Sequence, residues 1–392
     1  MKKFWKSNQR IIKFILVVFV IWQIVIESVS FFSSKILPER SRFMYNDGIK
    51  IINPVWLWDR ANFDGAHYLE ISRKGYGLYQ QAFFPFYPRL IKFFTPIFAG
   101  KDLLAAIFIS NLSLLLLLYF FYKLILLDFN DQTARWATIF FLVFPTSFFL
   151  SCVYTESLFI FLVLTSFYAA RTNRWLAAGI FGLLASYTRI TGVLLFPALL
   201  YELYQGEKDK NSNISLTAFL KKPDKVKKLL SVFLVPFGIF SYMKYLGSVY
   251  NDSLLFLHVQ PFFGAERSSN KIILIYQVFW RYLKMILTSK LDFAYFTVWL
   301  ELLVAILFLI VFAYSIKEKI RSSYLIFAIL SFFVPTFSGT FLSLPRFALA
   351  FFPCFIYLGT IKNNIIRISL LMVFGITFLI SNALFFRGYW LS

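Results

Sequence analysis

Long apolar runs separated by short polar connections set the pattern of this chain. Eleven runs can be laid out, at roughly 11–32, 103–126, 135–152, 154–170, 175–188, 191–205, 229–246, 294–314, 323–341, 347–361 and 368–385. A window of about 17–25 mostly apolar residues can cross a bilayer as a helix. Two further apolar stretches are expected to lie along the membrane surface instead. Stretch 82–99 carries Pro85, Pro88, Arg89, Lys92 and Pro96. Stretch 275–287 carries Trp280, Arg281, Tyr282 and Lys284, the mix of aromatic and basic residues found at interfaces. The pattern predicts an all-α polytopic membrane protein with about eleven transmembrane helices.

Composition supports this: 59% of the residues are hydrophobic and 15% charged, against about 45–50% and about 25% in a soluble domain. The net charge of +21 over 392 residues invites a nucleic-acid partner. The placement of the charge excludes one. Lys and Arg cluster in the connections 171–174, 206–228, 315–322 and 362–367, which is the positive-inside pattern of a membrane protein. Lys2, Lys3, Lys6 and Arg10 then place the N-terminus in the cytoplasm. The first run is long for a signal-peptide core and lacks a small-residue cleavage site, so it is expected to stay as helix 11–32. A cell-membrane protein follows, read as one integral domain over 1–392. Residues 33–102 form an extracytoplasmic loop with short interfacial helices, 103–205 core helices, 206–228 a cytoplasmic basic loop and 229–392 the C-terminal helices. Cys152 and Cys354 stand apart in apolar surroundings and suggest neither a disulfide framework nor a Cys-based metal site.

This topology gathers the polar motifs of the outer side into one compartment. They are the 33–102 loop, Tyr154-Thr155-Glu156-Ser157, Thr188-Arg189-Ile190-Thr191-Gly192, the 247–274 loop and Leu344-Pro345-Arg346-Phe347. Charge near hydrocarbon is costly and usually lines a cavity or reaches the interface. Asp64 suits a helix N-cap and equally a general base with an acceptor group close to Gly65. Asp59, beside Arg60, competes with it for that role. His67 and Glu70 follow Asp64 at three-residue steps, on one helical face. Three ligands from one helix make an awkward metal site, so no metal is assigned, and His67 is expected to meet a polar or phosphate group. Glu156 is a carboxylate between two apolar runs. Arg189 and Arg346 match phosphate geometry or snorkel to headgroups. Tyr68, Tyr76 and Tyr87 either stack on sugar rings or anchor the loop at the interface.

The ordered set resembles the GPI mannosyltransferase 2 (PIG-V-like) family of glycosyltransferase superfamily C, in a prokaryotic form. The matching elements are Phe63-Asp64, His67-Tyr68-Leu69, Gly75-Tyr76, Phe83-Phe84-Pro85-Phe86-Tyr87-Pro88, Tyr154 to Phe159, Trp175-Leu176-Ala177, Thr188-Arg189 to Gly192 and Pro345-Arg346-Phe347. The 247–274 loop, with Asp252, His258, Gln260, Phe263 and Arg267, looks like that of prokaryotic members. The family's usual Trp before the key Asp is Phe63 here, and Trp58-Asp59 offers a rival register. The resemblance implies transfer of a mannosyl or similar hexosyl group, with inversion, from a polyprenyl-phosphate sugar to a lipid, glycan or protein acceptor. Asp64 would be the general base, and His67, Glu156, Arg189 and Arg346 would bind substrate. It implies no cofactor, and the chain shows no Gly-rich phosphate loop. A transporter or flippase of lipid-linked sugars is the alternative; Glu156 and Arg189 suit it, but no inverted repeat or paired broken helices are visible.

Overall fold

The computed structural model describes residues 2–40, 54–208, 223–264, 267–268 and 271–391. Most of the predicted basic loop 206–228, and residues 41–53 of the predicted outer loop, lie outside the described residues. Among the described residues all regular structure is helical. The principal helices are α1 (Lys2–Ile36), α2 (Asp64–Lys74), α3 (Phe86–Phe94), α4 (Asp102–Ile125), α5 (Asp131–Val143), α6 (Glu156–Arg171), α7 (Trp175–Thr188), α8 (Leu195–Lys208), α9 (Pro223–Val232), α10 (Leu234–Tyr250), α11 (Ile275–Thr288), α12 (Phe293–Lys317), α13 (Ser322–Thr336), α14 (Leu344–Phe347), α15 (Phe352–Thr360) and α16 (Asn364–Phe386).

Each of the eleven apolar runs overlaps a helix, although 229–246 is divided between α9 and α10. Five stretches are long and apolar enough to cross a bilayer on their own: Asn8–Ile36, Asp102–Ile125, Asp224–Tyr250, Phe293–Lys317 and Asn364–Phe386. The protein is a multi-pass membrane protein. Several of the remaining runs are only partly α-helical, for local reasons. The run 135–152 stops being α-helical at Phe144, whose extended backbone (ψ 141°) precedes Pro145; a residue before proline is pushed out of the helical region. The run 191–205 begins as a 3₁₀ turn, Ile190–Leu194, and 347–361 is divided between Ala348–Ala350 and α15.

The two stretches expected to lie along the surface form short two-faced helices. On α11, Tyr276, Trp280, Leu283 and Leu287 are exposed along one stripe, while Val278 and Tyr282 are buried. At about 1.5 Å per residue this 14-residue helix is too short to span. An apolar stripe beside basic residues fits an interfacial position. On α3, Tyr87 and Ile91 are buried and Phe93 is exposed.

The predicted inner and outer connections collect at opposite ends of the bundle. At one end Arg171 bonds Asp128 with both guanidinium nitrogens at 2.7 Å. Arg321 donates to both oxygens of Glu202 at 2.7 and 2.8 Å. Arg10 and Arg135 face Asp131 there, at 3.9 and 2.8 Å. At the other end α6 begins, α7 ends and α13 ends. These three helices have 16, 14 and 15 residues, well below the length of the spanning helices beside them. Their early termination opens the space in which the outer motifs meet.

Candidate active site

A cavity of about 470 Å³ occupies that space, within the range of about 300–1,000 Å³ usual for small-molecule sites. Its charged lining consists of Asp64, Glu156, Arg189, Arg267, Lys271 and Arg346.

Asp64 is the first residue of α2. It is set there by Phe63, which takes a positive φ of 57°. That conformation is costly for a bulky residue, about 1–3 kcal/mol. Packing holds it: Phe63 is buried, 5.1 Å from Trp390 and 5.7 Å from Phe385 between ring centroids. Gly65 lets α2 approach the 152–155 stretch, since a Cβ there would lie 3.3 Å from the Val153 carbonyl. Val153 N–H donates to the Arg60 carbonyl at 2.9 Å, and the Tyr154 hydroxyl donates to the Asn62 carbonyl at 2.8 Å. The turn before Asp64 is thus pinned to the segment before Glu156.

Arg346 reaches Asp64 from 282 positions along the chain, its Nη1 donating to Oδ2 at 2.6 Å. It too follows a residue of positive φ, Ser343 at 67°, which opens α14. Glu156, the first residue of α6, is 3% exposed at its side chain and accepts from Arg189 Nη1 at 2.6 Å. Arg346 Nε stands 3.4 Å from the same oxygen, and Glu156 Oε2 is buried without a hydrogen-bond partner. Both guanidiniums stand over the Phe347 ring, that of Arg189 at 4.9 Å and that of Arg346 at 5.6 Å from its centroid, a favourable cation–π arrangement. Burial opposes the charge of Arg346. Asp64 and then Glu156 outweigh it and raise its pKa, so the group stays protonated.

Arg189 is presented by the end of α7, where its backbone becomes extended. Gly192 allows the following turn to fold back on α7; a Cβ there would come within 2.4 Å of the Ala185 backbone. The Thr-Arg-x-x-Gly element is therefore a helix stop that aims an arginine into the cavity.

The structure brings Asp64, Glu156, Arg189 and Arg346 together around one cavity. His67 is placed differently. It is absent from the lining, stacks on Phe83 at 5.0 Å and meets Gln80 Nε2 at 3.2 Å through Nδ1. Burial pushes its pKa down against the pull of Asp64 and Glu70. Gln80 also donates to Glu70 at 2.8 Å. Asp59 lies behind the site, not on it. Its Oδ2 accepts from the Ser30 hydroxyl at 2.7 Å, and burial pushes its pKa up to about 7. Of the three tyrosines, Tyr68 lines the cavity. Burial, then Glu156 and Asp64, raise its pKa and keep it a hydrogen-bond donor. Tyr87 is wholly buried and bonded to Ser110 at 2.8 Å, and Tyr76 bonds the Phe83 carbonyl at 2.8 Å. Tyr87 is therefore a core residue, not an interface anchor, while half-buried Tyr76 packs against Tyr242 and Tyr245 of α10, with ring centroids 5.9 and 6.0 Å away.

The sequence reading gives no role to Arg267 and passes over Lys271, Trp390 and Glu301. Arg267 donates to Gln260 Oε1 at 3.0 Å and, at 3.5 Å, to the Leu342 carbonyl. Burial first, then the nearby Arg346, push its pKa down. Glu301, on α12, accepts from the Tyr282 hydroxyl just behind this wall. A lone carboxylate inside a spanning run was the available signal for it.

A family model described as mannosyltransferase (PIG-V) matches residues 3–299. A search of curated proteins returned no match. Among solved structures, ArnT from Cupriavidus metallidurans in the apo state is 15% identical, with a TM-score of 0.48, covering 95% of this chain and 75% of that one. The same protein bound to undecaprenyl phosphate is 14% identical, with a TM-score of 0.46, covering 94% and 76%. The Archaeoglobus fulgidus oligosaccharyltransferase tethered to an acceptor peptide is 13% identical, with a TM-score of 0.43. That match covers 94% of this chain but only 55% of the oligosaccharyltransferase. Because the family model takes in about three quarters of the sequence, from α1 into α12, the chain belongs to the PIG-V mannosyltransferase family of membrane glycosyltransferases.

Proposed function

We propose that the protein transfers a mannosyl or similar hexosyl group from a polyprenyl-phosphate sugar to a hydroxyl acceptor, on the extracytoplasmic face, with inversion. Asp64 is the general base. The observation that carries this reading is the contrast between the cavity's two carboxylates. Glu156 is 3% exposed and flanked by two arginines. Asp64 is 18% exposed at its side chain and bonded to Arg346 through one oxygen only, which leaves Oδ1 to accept a proton.

The acceptor hydroxyl gives its proton to Asp64 as its oxygen bonds the anomeric carbon. The bond from that carbon to the phosphate oxygen breaks, and its electron pair leaves with the phosphate. The transition state is oxocarbenium-like, as in carboxylate-assisted glycosyl chemistry. Fixed cations beside the departing phosphate lower the barrier. Tyr68 and Thr155 offer hydroxyls to the sugar. His67 braces the Phe83 wall. The basic connections at the far end of the bundle face the cytoplasm in this reading. The domain organisation over 1–392 and the outer position of 33–102 follow from it.

The test is transfer in reconstituted membranes, with a panel of polyprenyl-phosphate hexoses and membrane-lipid acceptors. Asp64→Asn should lower turnover by about 10²–10⁴-fold, the usual worth of a general base, with normal expression. Wild-type turnover in that variant would end the assignment.

A further inference from the structure

The four cations of the cavity are not equivalent. Arg189 is bonded to Glu156 and Arg346 to Asp64, both at 2.6 Å. These two are compensated by the cavity's own carboxylates. Arg267 and Lys271 form no direct ion pair among the described residues; Asp64 and Glu301 act on Arg267 only from farther off. Among the described residues Arg267 donates to neutral acceptors, Gln260 and the Leu342 carbonyl. Described neighbours of both cations are tied to the wall. Ser268 N–H donates to the Ser338 carbonyl at 2.9 Å and Ile273 N–H to the Phe337 carbonyl at 3.0 Å, both on the turn after α13. Ile272, Val334 and Leu342 add apolar lining on this side.

We propose that Arg267 and Lys271, rather than Arg189 and Arg346, hold the donor's phosphate and take up the charge that develops on it. This rests on the lipid-phosphate donor reading above. A sugar polyprenyl phosphate is a phosphodiester with one negative charge. When the anomeric C–O bond breaks, the electron pair remains on the phosphate oxygen. The product is a monoester that approaches two charges near neutral pH. Two cations that make no direct ion pair among the described residues match the doubly charged leaving group better than the singly charged donor. Such a mismatch favours catalysis, because only interactions stronger in the transition state than in the bound substrate raise turnover. Arg189 and Arg346 instead orient the two carboxylates. The apolar lining beside Lys271 suits the first isoprene units of the tail.

The experiment compares binding of undecaprenyl phosphate and of undecaprenol to purified full-length protein, followed by tryptophan fluorescence, and then donor kinetics. Wild type should prefer the phosphate. Arg267→Gln and Lys271→Gln should each reduce that preference, and the double variant should abolish it. Arg189→Lys should retain it. Turnover in Arg267→Gln should fall by about 10²–10³-fold, as when one oxyanion donor is removed, with a much smaller change in KM for the donor. If Arg267→Gln does not fold, Arg267→Lys and Lys271→Gln carry the test, since each keeps or removes one charge with little change of volume. An undiminished phosphate preference in the double variant, or its loss in Arg189→Lys alone, would overturn the inference. A wild-type protein that binds both lipids equally would overturn the donor reading itself. Asp64→Asn, which should bind undecaprenyl phosphate normally, keeps failure of the base assignment separate from both.

Discussion

Asp59 and Asp64 stand five positions apart, each after an aromatic residue, and they end in opposite surroundings. Asp59 is 1% exposed. Among the described residues its Oδ1 has no hydrogen-bond partner, and the guanidinium of its neighbour Arg60 bonds Glu27 and Ser151. Asp64 opens α2, faces the cavity and is met by an arginine from the far end of the chain. Between them the backbone passes through Asn62 and the positive φ of Phe63, and that turn sends the second carboxylate into the site. Burial sets the character of Asp59, whereas Asp64 is placed by a cation that the fold brings from 282 positions away.

The largest effect that sharpens this contrast is the loss of transfer in Asp64→Asn beside near-normal transfer in Asp59→Asn. The reverse result would move the catalytic register to Asp59. Next in size is Arg346→Gln. It leaves Asp64 and Glu156 short of a cation. Breaking a buried pair from one side costs about 3–5 kcal/mol, read as a lowered melting temperature in detergent. With the guanidinium gone, Asp64 Oδ2 loses the donor that orients it, so turnover should fall as well. Wild-type turnover in the variant would show that Arg346 does not position the base.

Asp59→Asn is third, and its effect is on stability. The pKa of Asp59 is raised from 3.8 to about 7 in the folded protein. A group whose folded pKa is raised favours the native state below its unfolded pKa, and that contribution is lost as pH rises through the folded value. Wild-type stability should fall between about pH 4 and pH 7, by about 1.4 kcal/mol per unit and roughly 4 kcal/mol in all. The asparagine variant, which cannot ionise, should show a flatter profile and melt higher at pH 8. Melting curves at pH 5 and pH 8 decide it; identical slopes for the two proteins would mean that Asp59 does not titrate in this range.

The two neighbourhoods also show how much of the molecule is readable from its residues. The all-helical architecture is legible because apolar length is a local property, and every run overlaps a helix, though several are broken. The helix stops are partly legible: Pro145 and Gly192 mark two of them. Asp64, Glu156, Arg189 and Arg346 could be put in one compartment from the basic connections, since loop charge carries topology. Their pairing could not, because Arg346 meets Asp64 across 282 positions and lies beyond the region matched by the family model. Arg267 and Lys271 look like ordinary loop cations until the wall they stand on is built. His67 reads as a site residue from its spacing, yet Phe83 and Gln80 hold it out of the cavity lining.

The smallest effect tests the Asp59 neighbourhood from its other side. Ser30, on α1, donates its hydroxyl to Asp59 at 2.7 Å and favours the ionised carboxylate. Ser30→Ala removes one hydrogen bond, a loss of about 1 kcal/mol when Asp59 is protonated and about 1.5–3 kcal/mol when it is charged. The variant should therefore lose more stability at pH 8 than at pH 5, by about 1 kcal/mol, while transfer from the lipid donor stays near wild type. A loss independent of pH would mean that the hydroxyl serves packing alone. A loss of transfer at constant stability would tie α1 to the active site, and the separation between the two aspartates would have to be redrawn.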